Sequence, residues 1–89
     1  WGEYLHGDMG VLQAYAEYRD GAPSVTVETV ELYFSSLRDT TKGLIRRDKV
    51  RGDWPCLCGR GIMLRRCHVS VWKGLWLLHS DCKAHGLIG

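Results

Sequence analysis

Apolar residues recur at helical spacing through the first half of the chain. Met9, Leu12 and Ala16, with Tyr15 beside them, share one face of a segment over about 9–19, the spacing of a helix that buries a stripe. Asp8 stands where an N-cap is expected. Gly10 weakens the first turn, and Asp20-Gly21-Ala22-Pro23 ends the segment with glycine, proline and a change of period. A second helix is expected from Ser24 or Thr26 to about Arg38, with Val27, Val30, Phe34 and Leu37 in register and Tyr33 widening the stripe. Its β-branched start, Val25 to Val30, also suits a short strand. A shorter helical turn over Thr40–Lys49 carries Leu44 and Ile45 inward and Arg46, Arg47 and Lys49 outward. A helix pair followed by a basic third helix is loosely similar to helix-turn-helix modules, although no single position is diagnostic.

After Gly52-Asp53 the pattern changes. Residues 62–72 and 75–79 read as two strands separated by Lys73-Gly74, a turn between β-prone arms. On the first arm Cys67, Val69 and Val71 share one face and Arg66, His68 and Ser70 the other. Ile62 and Leu64 are out of phase with Cys67, which predicts a bulge near Arg65-Arg66. The expected fold is α+β: two or three N-terminal helices packed against a C-terminal, zinc-bound β-hairpin, in one domain over 1–89.

Charge divides the domain into an acidic helical half over 1–50 and a basic half over 54–89. Residues 1–41 hold two basic and seven acidic side chains, a net −5, whereas residues 42–89 hold ten basic and three acidic ones, a net +7. Eighty-nine residues make a thin core that benefits from a staple. No run of about 18 apolar residues and no signal peptide is recognised, so neither a membrane span nor secretion is indicated. An intracellular site, cytoplasm or nucleus, is expected. A chain that begins at Trp1 is also compatible with a fragment or a processed piece.

All four cysteines fall between residues 56 and 82, and three of the four histidines between 68 and 85. Clustered thiols and imidazoles outside a secreted framework suit a tetrahedral zinc ion better than disulfides or free thiols. Cys56-Leu57-Cys58-Gly59 forms one expected knuckle and Cys82-Lys83-Ala84-His85-Gly86 the other. One residue rather than two separates Cys56 from Cys58, but in an extended segment both side chains point the same way and can reach one ion. The expected ligands are Cys56, Cys58, Cys82 and His85, with Cys67 and His79 as alternates; another tetrad is Cys56, Cys58, Cys67 and Cys82. On strand geometry His68 points away from Cys67 and is left out. His6 is isolated and expected to be exposed. Asp81 is the one carboxylate inside the cysteine segment, and it adjoins Cys82 rather than facing a cleft, which favours a structural zinc over a catalytic one.

On Cys56, Cys58, Gly59, Cys82, His85 and Gly86, residues 54–89 resemble a zinc ribbon, in which two metal knuckles clamp a β-hairpin. The end of the chain, Cys82 to Ile88, is also somewhat similar to the zinc-binding domain of bacterial primases, where the ligands would be His79 and Cys82. Both resemblances imply a binding module for nucleic acid or a polymerase. Arg46, Arg47, Lys49, Arg51, Arg60, Arg65, Arg66 and Lys73 would supply phosphate contacts. Trp54, Trp72 and Trp76 would supply stacking platforms, with Trp72 at the hairpin tip the best exposed. The alternative is a zinc-stapled adaptor that docks a protein or forms a homodimer through Tyr33, Phe34 and Leu37. A remoter alternative is a small cysteine protease using Cys56 and His79; it is disfavoured by three competing cysteines and too little chain for a two-lobed cleft. The expected protein is therefore not an enzyme.

Overall fold

A computed structural model describes residues 6–46, 55–56 and 59–88. Their elements are α1 (His6–Asp20), α2 (Val27–Ser35), α3 (Asp39–Ile45), α4 (Leu64–Cys67) and α5 (Val69–Ala84). Among the described residues there is no strand; the only β feature is an isolated antiparallel bridge between Pro55 and Met63.

The first three helices follow the apolar stripes. Met9, Leu12, Tyr15 and Ala16 of α1 are buried. Thr26, in extended backbone, caps α2 by accepting a hydrogen bond from the Thr29 amide at 3.3 Å, and Val30 fills the α2 interface. Helix α3 has Arg38 at its N-cap, and the Arg38 side chain does not itself cap the helix. The missing cap comes from another helix. Asp8 is buried in α1 and accepts from the Arg38 amide at 3.1 Å and from the Thr41 hydroxyl at 2.6 Å. Asp8 therefore caps α3 across space instead of starting α1, and a carboxylate at that helix end meets the unpaired amides and the positive end of the dipole.

The expected α+β fold with a hairpin is overturned. Residues 62–72 and 75–79 are not strands, the Arg65-Arg66 bulge falls in α4, and Lys73-Gly74 lies inside α5 rather than at a turn. The physical reason is a helical period that outlasts the β-prone residues: Val71, Gly74, Leu75, Leu78, His79 and Cys82 are the buried positions of α5, a set spaced three and four apart. Gly74 is small for a packing reason. A Cβ at this position would lie 1.8 Å from the Leu12 carbonyl oxygen of α1, so α1 and α5 approach backbone to backbone.

That α1–α5 contact is the main pairing of the fold. Leu12 and Tyr15 on one side and Val71, Leu75 and Leu78 on the other are almost completely buried, each aliphatic side chain contributing about 1.5–3 kcal/mol by leaving water. Its polar clasp is Asp81 of α5, which accepts a hydrogen bond from the Tyr15 hydroxyl and pairs with Arg19 Nε at 3.1 Å. Tyr15 also packs edge-on to Tyr33 of α2, with ring centroids 4.9 Å apart. At the far side, His79 Nδ1 lies 2.5 Å from the Ile45 carbonyl and ties α5 to the last turn of α3.

Candidate metal centre

Cys56 begins a tight loop that leads into α4. Its amide donates to the Ile62 carbonyl at 2.9 Å, its carbonyl accepts from the Gly59 amide at 3.1 Å, and Pro55 bridges Met63. Gly59 and Gly61 hold the loop in the left-handed region, at φ 84° and 79°, where residues with a Cβ are strained. The loop returns the chain to Leu64, which is buried and anchors the single turn of α4. His68 then breaks the helical path, at φ −139° and ψ 78°, before α5 begins.

This break unites the site. In a strand, Cys67 and His68 would face opposite ways; at the α4–α5 junction both turn toward Cys56. The Cys56 Sγ and His68 Nδ1 are 3.0 Å apart, and one ligand atom each from Cys56, Cys67 and His68 lie within 4.8 Å of one another. A tetrahedral zinc ion with Zn–S near 2.3 Å and Zn–N near 2.0 Å sets its ligand atoms roughly 3.5–3.8 Å apart, a spacing this group accommodates with small side-chain adjustments. Cys56 is fully buried, and Cys67 and His68 are half-buried. These three side chains could hold a metal ion. A cysteine–histidine contact also occurs at thiol nucleophiles, but a second sulfur in the same cluster is what a metal requires and a nucleophile does not.

The expected ligands Cys82, His85 and His79 lie elsewhere in the fold. Cys82 is buried in the core beside Asp81; burial, then the Asp81 charge, pushes its thiol up to about 11. His85 lies at the C-terminal end of α5, where its Nε2 is 3.2 Å from the Val25 carbonyl. His79 is buried against Ile45, so the histidine beside Cys56 is His68 and not the His79 of the protease alternative. Cys58 lies outside the described residues, as do Arg47, Lys49, Arg51, Trp54 and the side chain of His6.

Of the basic residues, Arg60, Arg65 and Arg66 are exposed around the metal-ligand cluster in sequence. Arg46 stacks on Phe34, its guanidinium 5.6 Å from the ring centroid, and Lys73 stands 3.8 Å from Asp20. Trp72 is half-buried against the core with its indole N–H buried and unpartnered, whereas Trp76 is 49% exposed. The surface expected at Tyr33, Phe34 and Leu37 is largely used within the fold: Leu37 is buried, Phe34 lies under Lys42 and Arg46, and Tyr33 packs on Tyr15 and Tyr18. His68 was the residue least visible from sequence: in a strand it would face away from Cys67, whereas the backbone break at His68, ahead of α5, turns it toward Cys56.

Fold and site together define a small helical domain with a cysteine–cysteine–histidine cluster between its last two helices. No helix among the described residues is long and apolar enough to cross a membrane. Comparison with protein-family models, curated proteins and solved structures finds no match.

Proposed function

We propose that this chain is a helical module stapled by one structural zinc ion and that it binds nucleic acid through the basic surface around the staple. The convergence of Cys56, Cys67 and His68 is the observation that carries the reading. Two thiolates and an imidazole select a soft or borderline metal such as zinc over magnesium or calcium. Cys58, two positions along from Cys56, is the proposed fourth ligand. A closed four-ligand site would be structural, tying the loop that begins at Cys56 to the start of α5.

The nucleic-acid part rests on charge. Residues 54–80 contain Arg60, Arg65, Arg66 and Lys73 and no carboxylate, and the three arginines are exposed. Such a surface favours phosphate, in a salt-dependent and largely sequence-independent manner.

Native mass spectrometry of the reduced protein tests the staple. One zinc per chain is expected, lost on chelation and lost in Cys56→Ser, Cys67→Ser and His68→Ala, but kept in Cys82→Ser and His85→Ala. Zinc retained by Cys67→Ser and His68→Ala, or no zinc in the wild type, would refute the site. For nucleic acid, binding of RNA or DNA should weaken steeply with salt and disappear when Arg65 and Arg66 are both reversed in charge; indifference to that reversal would refute the second half of the proposal.

A further inference from the structure

Helix α5 has an outward face that lies opposite its buried side. Val69, Lys73, Trp76, Ser80 and Lys83 recur at i, i+4, i+7, i+11 and i+14, opposite the buried set that meets α1, and so form one continuous stripe. Val69 is 58% and Trp76 49% exposed; Lys73 and Lys83 are exposed as well. The one carboxylate of α5, Asp81, is turned away from this stripe onto Tyr15 and Arg19. Lys73 and Lys83 are ten residues apart, about 15 Å along the helix, with Trp76 between them. Beyond the N-terminal end of the stripe, α4 adds the exposed Arg65 and Arg66.

We infer that this face is a docking track for single-stranded nucleic acid, with Trp76 as the stacking platform and Arg65, Arg66, Lys73 and Lys83 as the phosphate contacts. The inference rests on the nucleic-acid reading above and gives it a strand type and a surface. An exposed indole between cations is the combination that a single strand requires: unpaired bases offer a π-face, and the backbone offers charge at both sides of it. A duplex keeps its bases stacked on one another and cannot use Trp76 in this way. Two carboxylates of α1, Glu17 and Asp20, line the cleft beside Ser70 and Lys73 and oppose the track. Asp20 of α1 stands 3.8 Å from Lys73, both side chains being largely exposed, and it must yield Lys73 to a phosphate.

Fluorescence anisotropy with a labelled oligothymidylate, a duplex of equal length and vesicles rich in phosphatidylserine tests this on the full, zinc-loaded chain. The single strand should bind most tightly, with a slope of log K against log salt no steeper than about −3 for four contacts. Trp76→Ala should weaken it about 5- to 150-fold without changing the slope, and Trp76→Phe should restore part of the loss. Lys83→Gln should reduce the slope by about 0.7, and Asp20→Asn should strengthen binding. Trp76 is half-exposed, so unchanged far-UV circular dichroism is expected in its variants and separates a contact from a folding defect. If the wild type binds nucleic acid but Trp76→Ala binds equally well, or the duplex binds better, the track is wrong while the general reading stands. If no nucleic acid binds, both fall; Trp76-dependent binding to the vesicles alone would assign the face to a membrane surface and also overturn the inference.

Discussion

Replacing Gly74 by alanine tests the central helix pair, because two effects of opposite sign meet at that position. Within a helix the change gains about 1 kcal/mol of propensity. Here the new Cβ would stand 1.8 Å from the Leu12 carbonyl oxygen and 2.6 Å from its carbonyl carbon. Both are backbone atoms, so no side-chain rotation relieves the clash, and α1 and α5 must separate by more than about 1 Å to restore ordinary contact. Separation loosens the contacts of Leu12, Tyr15, Val71, Leu75 and Leu78, all in the core cluster. Overpacking in a well-filled core costs about 1–3 kcal/mol and occasionally more, and a backbone clash belongs at the upper end.

The expected net result is a loss of about 2 kcal/mol, or roughly 8–16 °C in Tm for a domain of this size. Gly10 and Gly43 provide the controls. Both are exposed positions in α1 and α3, and a Cβ on either would meet nothing within 4 Å, so Gly10→Ala and Gly43→Ala should each stabilise by about 0.5–1 kcal/mol. Urea unfolding followed by far-UV circular dichroism measures all three variants. A Gly74→Ala protein as stable as Gly10→Ala would mean that α5 does not lie against Leu12, and the close-packed α1–α5 pair would have to be abandoned.

Two further perturbations probe the polar ties of the fold. Asp8→Ala removes the cap of α3 and leaves the Thr41 hydroxyl and Arg38 amide without their carboxylate; a loss of about 1–2 kcal/mol is expected, with Asp8→Asn intermediate, and equal stability of all three proteins would contradict the cross-helix cap. Alkaline unfolding reads Cys82. Its thiol titrates near 8.5 in an unfolded chain and is pushed up to about 11 in the fold by burial and then by Asp81, so its contribution is fully present below about pH 8.5 and is lost as pH rises toward 11, about 3 kcal/mol in all. Burial and the Asp81 hydrogen bond also push the Tyr15 hydroxyl well above its ordinary value, so its share of the loss begins only near pH 10. Relative to the wild type, Cys82→Ala should therefore lose this fall in stability between about pH 8.5 and 10; parallel curves for the two proteins would show that another group titrates there.

The first helix was legible because its stripe has one period and one clear stop: Met9, Leu12, Tyr15 and Ala16 have no competing reading as a strand. The second kept a strand alternative at Val25 to Val30, and Thr26 was one of two candidate caps beside Ser24. Asp8 was misplaced for a simple reason: a capping residue is read against the helix that follows it in sequence, and Asp8 caps one 30 residues away, through space. In the second half, local and tertiary signals conflict. Val69, Val71 and Trp72 favour a strand and Lys73-Gly74 a turn, but the requirement to bury Leu75, Leu78 and Cys82 on one side is met only by a helix, and Gly74 then becomes the place where another backbone passes. Propensity was overridden by packing.

The same override explains why the candidate site was only half visible. Cys56 was identified from its spacing and glycine partner, but pairing Cys67 with His68 depends on the chain changing direction between them, which no local rule at that position announces. Once α5 is a helix that starts at Val69, its first amides face the loop side without a side-chain cap, since His68 offers none. Holding His68 on a metal with Cys56 and Cys67 would fix the helix start that capping leaves open, much as Asp8 does for α3. The proposed staple, the α1 contact at Gly74 and the proposed docking face around Trp76 thus all fall on one helix. Loss of the proposed metal should act first on the N-terminal turn of α5, at Val69, and only through that turn on the surface that Trp76 presents.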